Sequence, residues 1–323
     1  MAKPRVVITR KIPAAAEERA KKLFDVVLNA SDVPMDAAAL AKAICEADGL
    51  LPCVADKITG ELLATPGRTV TIVSNYGVGY NNIDVAAAKA NGIVVTNTPD
   101  VLTEDTADLA LTLMLATARR AGEGEREVRG GKWTGWRPMH MLATQVHGKT
   151  LGLIGIGRIG RAVAKRAHHG FGMKIIYHDP YPLGDADAKA LNAERKESID
   201  AVLNESDFVS LHCPATPETK HLMNATRFKQ MKKGSILINT ARGDVVNEVD
   251  LIAALRSGTI AGAGLDVFEK EPSVPAELVA MENVMLLPHL GSATLEARTA
   301  MGMRAIDNLE AFFGGTAPRD RVA

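Results

Sequence analysis

Short runs of apolar residues alternate with amphipathic stretches along most of the chain. The runs are rich in Val and Ile and are bounded by turn or helix residues, as is typical of buried strands. Ala-rich stretches with helical spacing lie between them, for example 36–47 and 84–92. Helices between strands indicate βαβ units with parallel pairing. Strands are predicted at 5–10, 25–30, 47–53, 70–75, 92–97, 150–155, 174–179, 207–213, 235–240, 263–268 and 284–288.

A longer segment without strand character separates the two halves of this alternation. It begins at Thr103, where acidic residues follow closely in a pattern that resembles a capping box, and it predicts a helical segment over 103–131. Residues 134–149 show little periodicity, so they are predicted to be a loop and a candidate domain border. The last stretch, 294–313, is helical by pattern. The chain is therefore predicted to form two successive α/β halves.

Composition narrows the class of protein. A chain of 323 residues is long enough for two domains at about 150 residues each. Its 38 basic and 38 acidic residues balance, which disfavours nucleic acid or an anionic membrane as a partner. No apolar run reaches the roughly 18 residues of a membrane span. The cysteines, Cys45, Cys53 and Cys213, are odd in number and lack metal-like spacing, so we expect no metal site and a cytoplasmic protein.

The sequence GIGRIG at 155–160 fits the G-x-G-x-x-G pattern of a dinucleotide-binding loop. A predicted strand precedes it and a predicted helix follows, which is the context that the pattern requires. Gly155 allows the tight turn, Gly157 lets the backbone approach a pyrophosphate, and Gly160 lets the helix pack closely on the strand. The pyrophosphate would lie at the helix N-terminus, where free N–H groups favour anions.

An acidic residue follows the next predicted strand at the distance that this motif expects. Asp179 lies 24 residues after Gly155 (179 − 155). A carboxylate at this position accepts hydrogen bonds from both ribose hydroxyls of NAD and repels the additional phosphate of NADP. We therefore predict that NADH is preferred over NADPH.

Three residues that could bind and protonate a keto acid follow three different strands. His289 follows one strand in LLPHLGSAT, Glu271 follows another in GLDVFEKEP, and Arg242 follows a third in INTARGD. The carboxyl ends of parallel strands share one edge, where α/β sheets bind ligands. Arg grips a carboxylate bidentately, His donates a proton near neutrality, and a carboxylate beside it stabilises its charged form. This set predicts hydride transfer between a nicotinamide cofactor and a 2-keto acid.

Several longer motifs then resemble one family, in order and over nearly the whole chain. They are NYGVGYNNID (75–84), EDTADLALTLMLATARR (104–120), GKWTGWRP (131–138), GKTLGLIGIGRIG (148–160), LHCPATPET (211–219), INTARGDVVNE (238–248), GLDVFEKEP (264–272) and LPHLGSAT (287–294). The chain resembles the D-2-hydroxyacid dehydrogenases, most closely their glyoxylate/hydroxypyruvate reductase branch. The resemblance implies reduction of a small 2-keto acid, glyoxylate or hydroxypyruvate, to the D-2-hydroxy acid.

The resemblance also implies a domain organisation and roles for single residues. A Rossmann cofactor domain would span 101–289, and a flavodoxin-like substrate domain would combine 1–100 with 290–323, which moves the border away from 134–149. Arg242 would bind the substrate, His289 would be the acid/base and Glu271 its partner. Val78 and Gly79 would offer backbone N–H groups to the substrate carboxylate. The cofactor would be lined, besides the glycine loop and Asp179, by Thr106, Arg158, Ile159, Cys213, Thr219, Thr240, Ala241, Asp266 and Gly291.

The family implies a homodimer in which the segment 103–147 clasps the partner. In this branch the residue matching Trp136 reaches the neighbouring active site and contacts substrate, although plain interface packing is the alternative for Trp133 and Trp136. Many relatives prefer NADPH and place a basic residue where Asp179 stands, so this chain departs from them toward NADH.

Two other functions remain open from the sequence. A phosphoglycerate dehydrogenase-like enzyme would need a phosphate pocket, yet only Lys57 and Arg68 are basic within 51–80. Many such enzymes also carry a regulatory domain that we do not expect in this chain. A non-catalytic NAD-sensing corepressor shares the fold and the triad, but such proteins usually add tails or peptide-binding surfaces, which we do not expect either.

Overall fold

The computed structural model describes residues 2–323, which form two compact units. One unit runs up to Leu102 and continues in Ala293–Ala323, and the other is Thr103–Ser292. Among the described residues, no helix has the length and apolar character needed to cross a lipid bilayer.

The first unit contains a five-stranded parallel sheet in the order β2-β1-β3-β4-β5. This is the flavodoxin-like order of doubly wound folds. Its strands are β1 (Arg5–Ile8), β2 (Asp25–Leu28), β3 (Gly49–Leu51), β4 (Ile72–Ser74) and β5 (Val94–Thr96), and its helices are α1 (Ala14–Leu23), α2 (Ala37–Glu46), α3 (Gly60–Leu63), α4 (Val85–Ala90) and the C-terminal α13 (Leu295–Phe313).

The second unit contains a seven-stranded parallel sheet in the order β12-β11-β10-β9-β6-β7-β8. Its strands are β6 (Thr150–Ile154), β7 (Lys174–His178), β8 (Ala193–Arg195), β9 (Phe208–Leu211), β10 (Ile236–Asn239), β11 (Gly262–Leu265) and β12 (Val284–Leu286). Its helices are α5 (Thr103–Ala118), α6 (Ala121–Arg129), α7 (Arg158–Phe171), α8 (Asp185–Ala190), α9 (Ile199–Glu205), α10 (Ala225–Gln230), α11 (Glu248–Arg256) and α12 (Ala276–Val279), with a 3₁₀ turn at Gly243–Val245.

The order of this second sheet creates a crevice for a ligand. The chain starts at β6, builds β7 and β8 to one side, and then crosses to build β9 through β12 on the other. The strand order therefore reverses between β6 and β9. Ligands of doubly wound sheets bind at this switch point, outside the carboxyl ends of the strands. The central strands β9, β10 and β11 are buried along their whole length, as their apolar sequences predict.

Helices begin where the sequence provides a capping side chain. Asp36, Asp84, Ser198 and Thr294 each accept a hydrogen bond from the backbone N–H three residues later. These bonds satisfy donors that a helix start leaves free. They explain why α2, α4, α9 and α13 start where they do.

The predicted fold class, two doubly wound parallel α/β sheets, is confirmed, and each predicted strand segment overlaps an observed strand. Two details differ. The segment 103–131 is two helices, because the chain turns at Arg120, whose φ is 54°. The strand β8 was not predicted, because Ala193–Arg195 is a three-residue, largely exposed edge strand without an apolar run.

Candidate active site

The glycine loop of the second unit follows β6 directly. Gly155 has a φ of 94°, and a Cβ there would come within 2.8 Å of the His212 carbonyl. A Cβ on Gly160 would lie 2.5 Å from the Gly155 carbonyl oxygen, so only glycine lets α7 start this close to the turn. By contrast, a Cβ on Gly157 would meet nothing within 4 Å. The loop is thus tightly packed at two glycines and open at the third, which suits the approach of a pyrophosphate.

Asp179 follows β7 and is bonded to this loop. Its Oδ2 accepts a hydrogen bond from the Ile156 amide at 2.8 Å, and its Oδ1 accepts one from the Tyr181 amide at 2.8 Å. Each carboxylate oxygen has a second lone pair, so both can still accept a hydroxyl. The carboxylate is therefore positioned by the fold and retains acceptor capacity for a ribose.

The other positions implied for the cofactor are distributed around the same strand ends. Arg158 and Ile159 begin α7, and Cys213 lies against the Gly155 turn. Burial raises the pKa of the Cys213 thiol to about 11, so the sulfur is protonated. Thr219 uses its hydroxyl within its own loop, donating to the Pro214 carbonyl at 2.7 Å. The Ala241 amide donates to Asn239 Oδ1 at 3.0 Å.

Thr240 provides a specific indication that a polar ligand belongs here. Its hydroxyl oxygen is buried and has no hydrogen-bond partner among residues 2–323. A buried hydroxyl without a hydrogen-bond partner costs folding free energy unless a water molecule or a ligand forms that bond. It follows β10, close in sequence to Ala241 and Arg242. Together with the open glycine and Asp179, this unpaired oxygen shows that the residues present fit a dinucleotide.

His289 and Glu271 form a hydrogen-bonded pair. The His289 Nδ1 lies 2.8 Å from the Glu271 Oε2, and both side chains are about one-third exposed. The other carboxylate oxygen, Oε1, accepts from the Phe268 amide at 3.1 Å. Burial raises the pKa of Glu271, but the hydrogen bond and charge of His289 outweigh it, so the net pKa is below its ordinary value. Glu271 is thus a fixed anion that leaves His289 Nε2 available for proton transfer.

The backbone of His289 is held in an unusual conformation by Asp266. The φ of His289 is 55°, in the left-handed region that disfavours side chains. Its amide donates to the Asp266 carbonyl at 2.9 Å, and the Asp266 carboxylate accepts from the Leu290 and Gly291 amides at 2.6 and 2.9 Å. Burial raises the pKa of Asp266. Asp266 follows β11, so one strand end positions the residue that follows β12.

The Gly291 turn is also tied to α5. The Thr106 hydroxyl, buried near the start of α5, donates to the Gly291 carbonyl at 2.9 Å. Both ends of the His289 loop are therefore fixed, and the imidazole has little freedom to reorient.

Arg242 follows β10 and acts electrostatically on the pair. Burial lowers the pKa of Arg242, while the charges of Glu271 and Asp244 raise it, and the Arg242 charge in turn lowers the pKa of Glu271. Its Nη1 donates to the Ala241 carbonyl at 2.7 Å. The next residue, Gly243, lies so close to the Glu271 loop that a Cβ would come within 1.9 Å of the Phe268 carbonyl carbon. The three candidate catalytic residues thus belong to one tightly packed cluster.

A loop of the first unit has backbone N–H groups that can bind an anion. The carbonyls of Gly77, Val78 and Gly79 accept from the Thr98 amide at 3.0 Å, the Asn97 side chain at 2.8 Å and the Asn75 side chain at 2.9 Å. Within residues 2–323 the amides of Val78 and Gly79 donate to no protein acceptor. With the carbonyls fixed inside, these two donors are available to a carboxylate.

The start of the predicted loop at 134–149 and the residue before it expose large apolar side chains. Trp136 is 83% exposed and Trp133 56% exposed. Met139 and Leu142, farther along the same stretch, are also exposed. The described residues do not place Trp136 on any candidate catalytic side chain of its own chain.

Comparison with known proteins identifies the family. The sequence pattern described as "D-isomer specific 2-hydroxyacid dehydrogenase, NAD binding domain" matches residues 111–291. The chain belongs to the D-isomer-specific 2-hydroxyacid dehydrogenase family. It is therefore an NAD(P)-dependent dehydrogenase, and the resemblance seen in the sequence is confirmed. A glyoxylate reductase from Thermococcus litoralis is 46% identical, covering 99% of this chain and 97% of that protein.

Solved structures of dehydrogenases share the fold. An NADPH-dependent glyoxylate/hydroxypyruvate reductase from Sinorhizobium meliloti, in complex with NADP and malonate, has a TM-score of 0.88 and 38% identity, covering 100% of this chain and 97% of that one. A D-mandelate dehydrogenase from Rhodotorula graminis has a TM-score of 0.89 and 29% identity, covering 100% and 98%. Within this fold, members of the family are thus named for small and for bulky substrates.

A second histidine–glutamate pair was missed in the sequence. His221 Nε2 lies 2.8 Å from Glu269 Oε1. The two residues are 48 positions apart and come from different loops, so no spacing rule links them. The only sequence signal was that Glu269 lies two residues before Glu271.

Proposed function

We propose that the protein reduces a small 2-keto acid, glyoxylate or hydroxypyruvate, to the D-2-hydroxy acid with NADH. The observation that carries this proposal is the 2.8 Å pair between His289 and Glu271, on which the Arg242 charge acts. A cation for a carboxylate, a proton donor and a fixed anion beside that donor are the groups that keto-acid reduction requires.

The nicotinamide cofactor, when bound at the glycine loop, supplies the hydride. Arg242 binds the substrate carboxylate with its planar guanidinium and so orients the keto group. His289 donates the Nε2 proton to the carbonyl oxygen, which balances the hydride that the carbonyl carbon receives. Glu271 stabilises the imidazolium before the transfer, and it keeps the ring orientation through Nδ1. In the reverse direction the neutral ring accepts the proton.

Val78 and Gly79 are proposed as further carboxylate ligands. Their unpaired amides support this role, because oriented backbone N–H groups bind anions without a positive side chain. We likewise propose that the first unit is the substrate domain and that Thr103–Ser292, which carries the glycine loop, is the cofactor domain.

The preference for NADH is proposed from Asp179. Its carboxylate is fixed by two amides and would accept the ribose hydroxyls, whereas a 2′-phosphate there would be repelled. The NADPH-dependent enzyme from Sinorhizobium meliloti, which shares this fold, makes the cofactor preference of the present chain a question for measurement. The three free cysteines of the chain fit a reducing, cytoplasmic compartment.

A homodimer is proposed from the exposed apolar segment 133–142. Large exposed apolar groups that cluster in one stretch are typical of an interface. Trp136→Ala should raise the dimer dissociation constant about tenfold or more in sedimentation velocity experiments. Tyr181→Ala is the matched control, since Tyr181 is equally exposed, at 84%, but lies outside this segment. A monomeric wild type, or equal loss in both variants, would contradict the proposal.

A panel of keto acids assayed with NADH and NADPH tests the function. We expect the highest kcat/KM for glyoxylate or hydroxypyruvate with NADH, and lower values for phenylglyoxylate and phosphohydroxypyruvate. Preference for phosphohydroxypyruvate would support a phosphoglycerate dehydrogenase instead. Calorimetric binding of NADH without turnover of any keto acid would support a binding protein.

A further inference from the structure

A basic side chain reaches the proposed ribose site from the edge strand β8. Arg195 ends β8 and is paired with Tyr177 in β7. Its Nη2 donates to the backbone carbonyl of Asp179 at 3.1 Å. The guanidinium therefore lies at the carboxyl end of β7, next to the residue that follows it. Within residues 2–323 Arg195 is exposed and forms no ion pair, so its charge is not neutralised by a neighbouring carboxylate.

We propose that Arg195 is a preformed ligand for the 2′-phosphate of NADPH, and that the Asp179 carboxylate alone excludes this phosphate. The inference rests on the proposed function, because it takes Asp179 to lie at the ribose. A guanidinium binds a phosphate bidentately, whereas a carboxylate at the same place repels it. The two residues are 16 positions apart, and the bond from the Arg195 guanidinium to the Asp179 backbone carbonyl holds them at one strand end.

The amides that now bind Asp179 strengthen the inference. Ile156 and Tyr181 each donate to one carboxylate oxygen. Removing the carboxylate would leave these two N–H groups as donors beside the residue whose backbone carbonyl Arg195 contacts. A site with one guanidinium and two amides is chemically suited to a phosphate.

Another nearby arginine is already engaged in the fold. Arg161 donates to the Ile156 carbonyl at 3.2 Å and pairs with Asp187 at 3.3 Å. Arg195 makes a single bond to a backbone carbonyl, which a phosphate could replace at little cost. Arg195 is therefore the residue on which NADPH binding should depend.

The test compares four variants: Asp179→Ser, Arg195→Gln, the double variant, and Asp179→Ser with Lys174→Gln as control. Lys174 begins β7, so its substitution removes the same charge at the opposite end of the strand. Dissociation constants for NADH and NADPH are measured by titration calorimetry, and kcat/KM is measured for both cofactors. Thermal melts establish that each variant is folded.

We expect Asp179→Ser to bind NADPH about tenfold or more tightly than the wild type does. Adding Arg195→Gln should return NADPH binding to within about threefold of the wild type, whereas adding Lys174→Gln should leave the gain in place. Arg195→Gln alone should change NADH binding by less than about threefold. A gain that survives in the double variant, or no gain in Asp179→Ser, would overturn the proposal.

The results that would contradict the proposed NADH preference differ from those that would contradict the role of Arg195. If the wild type binds NADPH as tightly as NADH, Asp179 does not exclude the phosphate. Arg195→Gln in the wild-type background would then still decide whether Arg195 is a phosphate ligand, because only NADPH binding should weaken. If keto acids are not turned over, the calorimetric dissociation constants still test the ligand assignment.

Discussion

Three histidine–glutamate pairs lie in the described part of the second unit; His140 and Glu127 are 3.1 Å apart, and the other two pairs have nearly the same separation. His289 and Glu271 are 2.8 Å apart, and so are His221 and Glu269. Both histidines have positive φ values, 55° and 49°. The side-chain exposures are also similar, at 34% and 36% in one pair and 34% and 25% in the other. Distance, backbone conformation and exposure therefore do not distinguish them.

The residues around each pair distinguish the two pairs. The Arg242 charge acts on Glu271, and the His289 loop is fixed by Asp266 and Thr106. The second pair is bonded into the protein: the His221 amide donates to the Asp244 carbonyl at 2.8 Å, and the Glu269 amide donates to Glu248 Oε1 at 2.8 Å. It connects the loop after β9 to the loop that carries Glu271. The first pair is thus the one proposed for proton transfer, since the charge of Arg242 acts on it, and the second pair connects two loops.

The largest expected difference is between the two histidines. His289→Asn should lower kcat by about 10²–10⁴, because the general acid is lost. His221→Asn should leave kcat within about tenfold and lower the free energy of unfolding by about 1 kcal/mol, the value of one hydrogen bond. Steady-state kinetics and urea unfolding measure the two effects. Similar losses of kcat in both variants would remove the distinction between the pairs.

Substitution of Arg242, whose charge acts on Glu271, should have the next largest effect on catalysis. Arg242→Lys should lower kcat/KM for the keto acid about a hundredfold, because an ammonium cannot copy the bidentate grip, while the dissociation constant for NADH stays near normal. Arg227→Lys is the control, since among residues 2–323 Arg227 binds the Leu222 carbonyl and Asp200 and none of the candidate catalytic residues. A collapse of NADH binding with keto-acid turnover intact would mean that Arg242 serves the cofactor.

Substitutions of Glu271 and Glu269 should differ least in their effect on kcat but clearly in their effect on the pH–rate profile. The Glu271 pKa is below its ordinary value, so the carboxylate is ionised at neutral pH. Glu271→Gln removes that anion from beside His289, so the loss of reductive rate with rising pH should begin at a lower pH, with kcat reduced about tenfold. In the same variant, the rise of the oxidation rate with increasing pH should also begin at a lower pH.

Glu269→Gln provides the comparison for this profile. It removes the same charge from the second pair and should leave the pH–rate profile of both directions in place. An unshifted profile in Glu271→Gln, or an equal shift in Glu269→Gln, would show that the His289–Glu271 pair does not set the proton transfer.

Much of this protein could be predicted from local sequence. The strands were predictable because parallel strands buried on both faces are nearly continuous apolar runs, as in Ile236–Asn239 and Phe208–Leu211. The glycine loop and Asp179 were predictable because a turn, a helix start and an acid must occur in a fixed order along one βαβ unit. Arg242, Glu271 and His289 could be proposed because each follows a strand.

Only the tertiary structure decided which residues that lie far apart along the chain contact each other. Asp266 holds the His289 loop because β11 and β12 are neighbours in the sheet, and Arg195 reaches Asp179 because β8 pairs with β7. Neither relation has a periodicity or a spacing in the sequence, and β8 lacked even an apolar run. His221 meets Glu269 across 48 positions although the strands before them, β9 and β11, are separated by β10. Strand order is set by packing of the whole sheet, so these contacts appear only when the chain is folded.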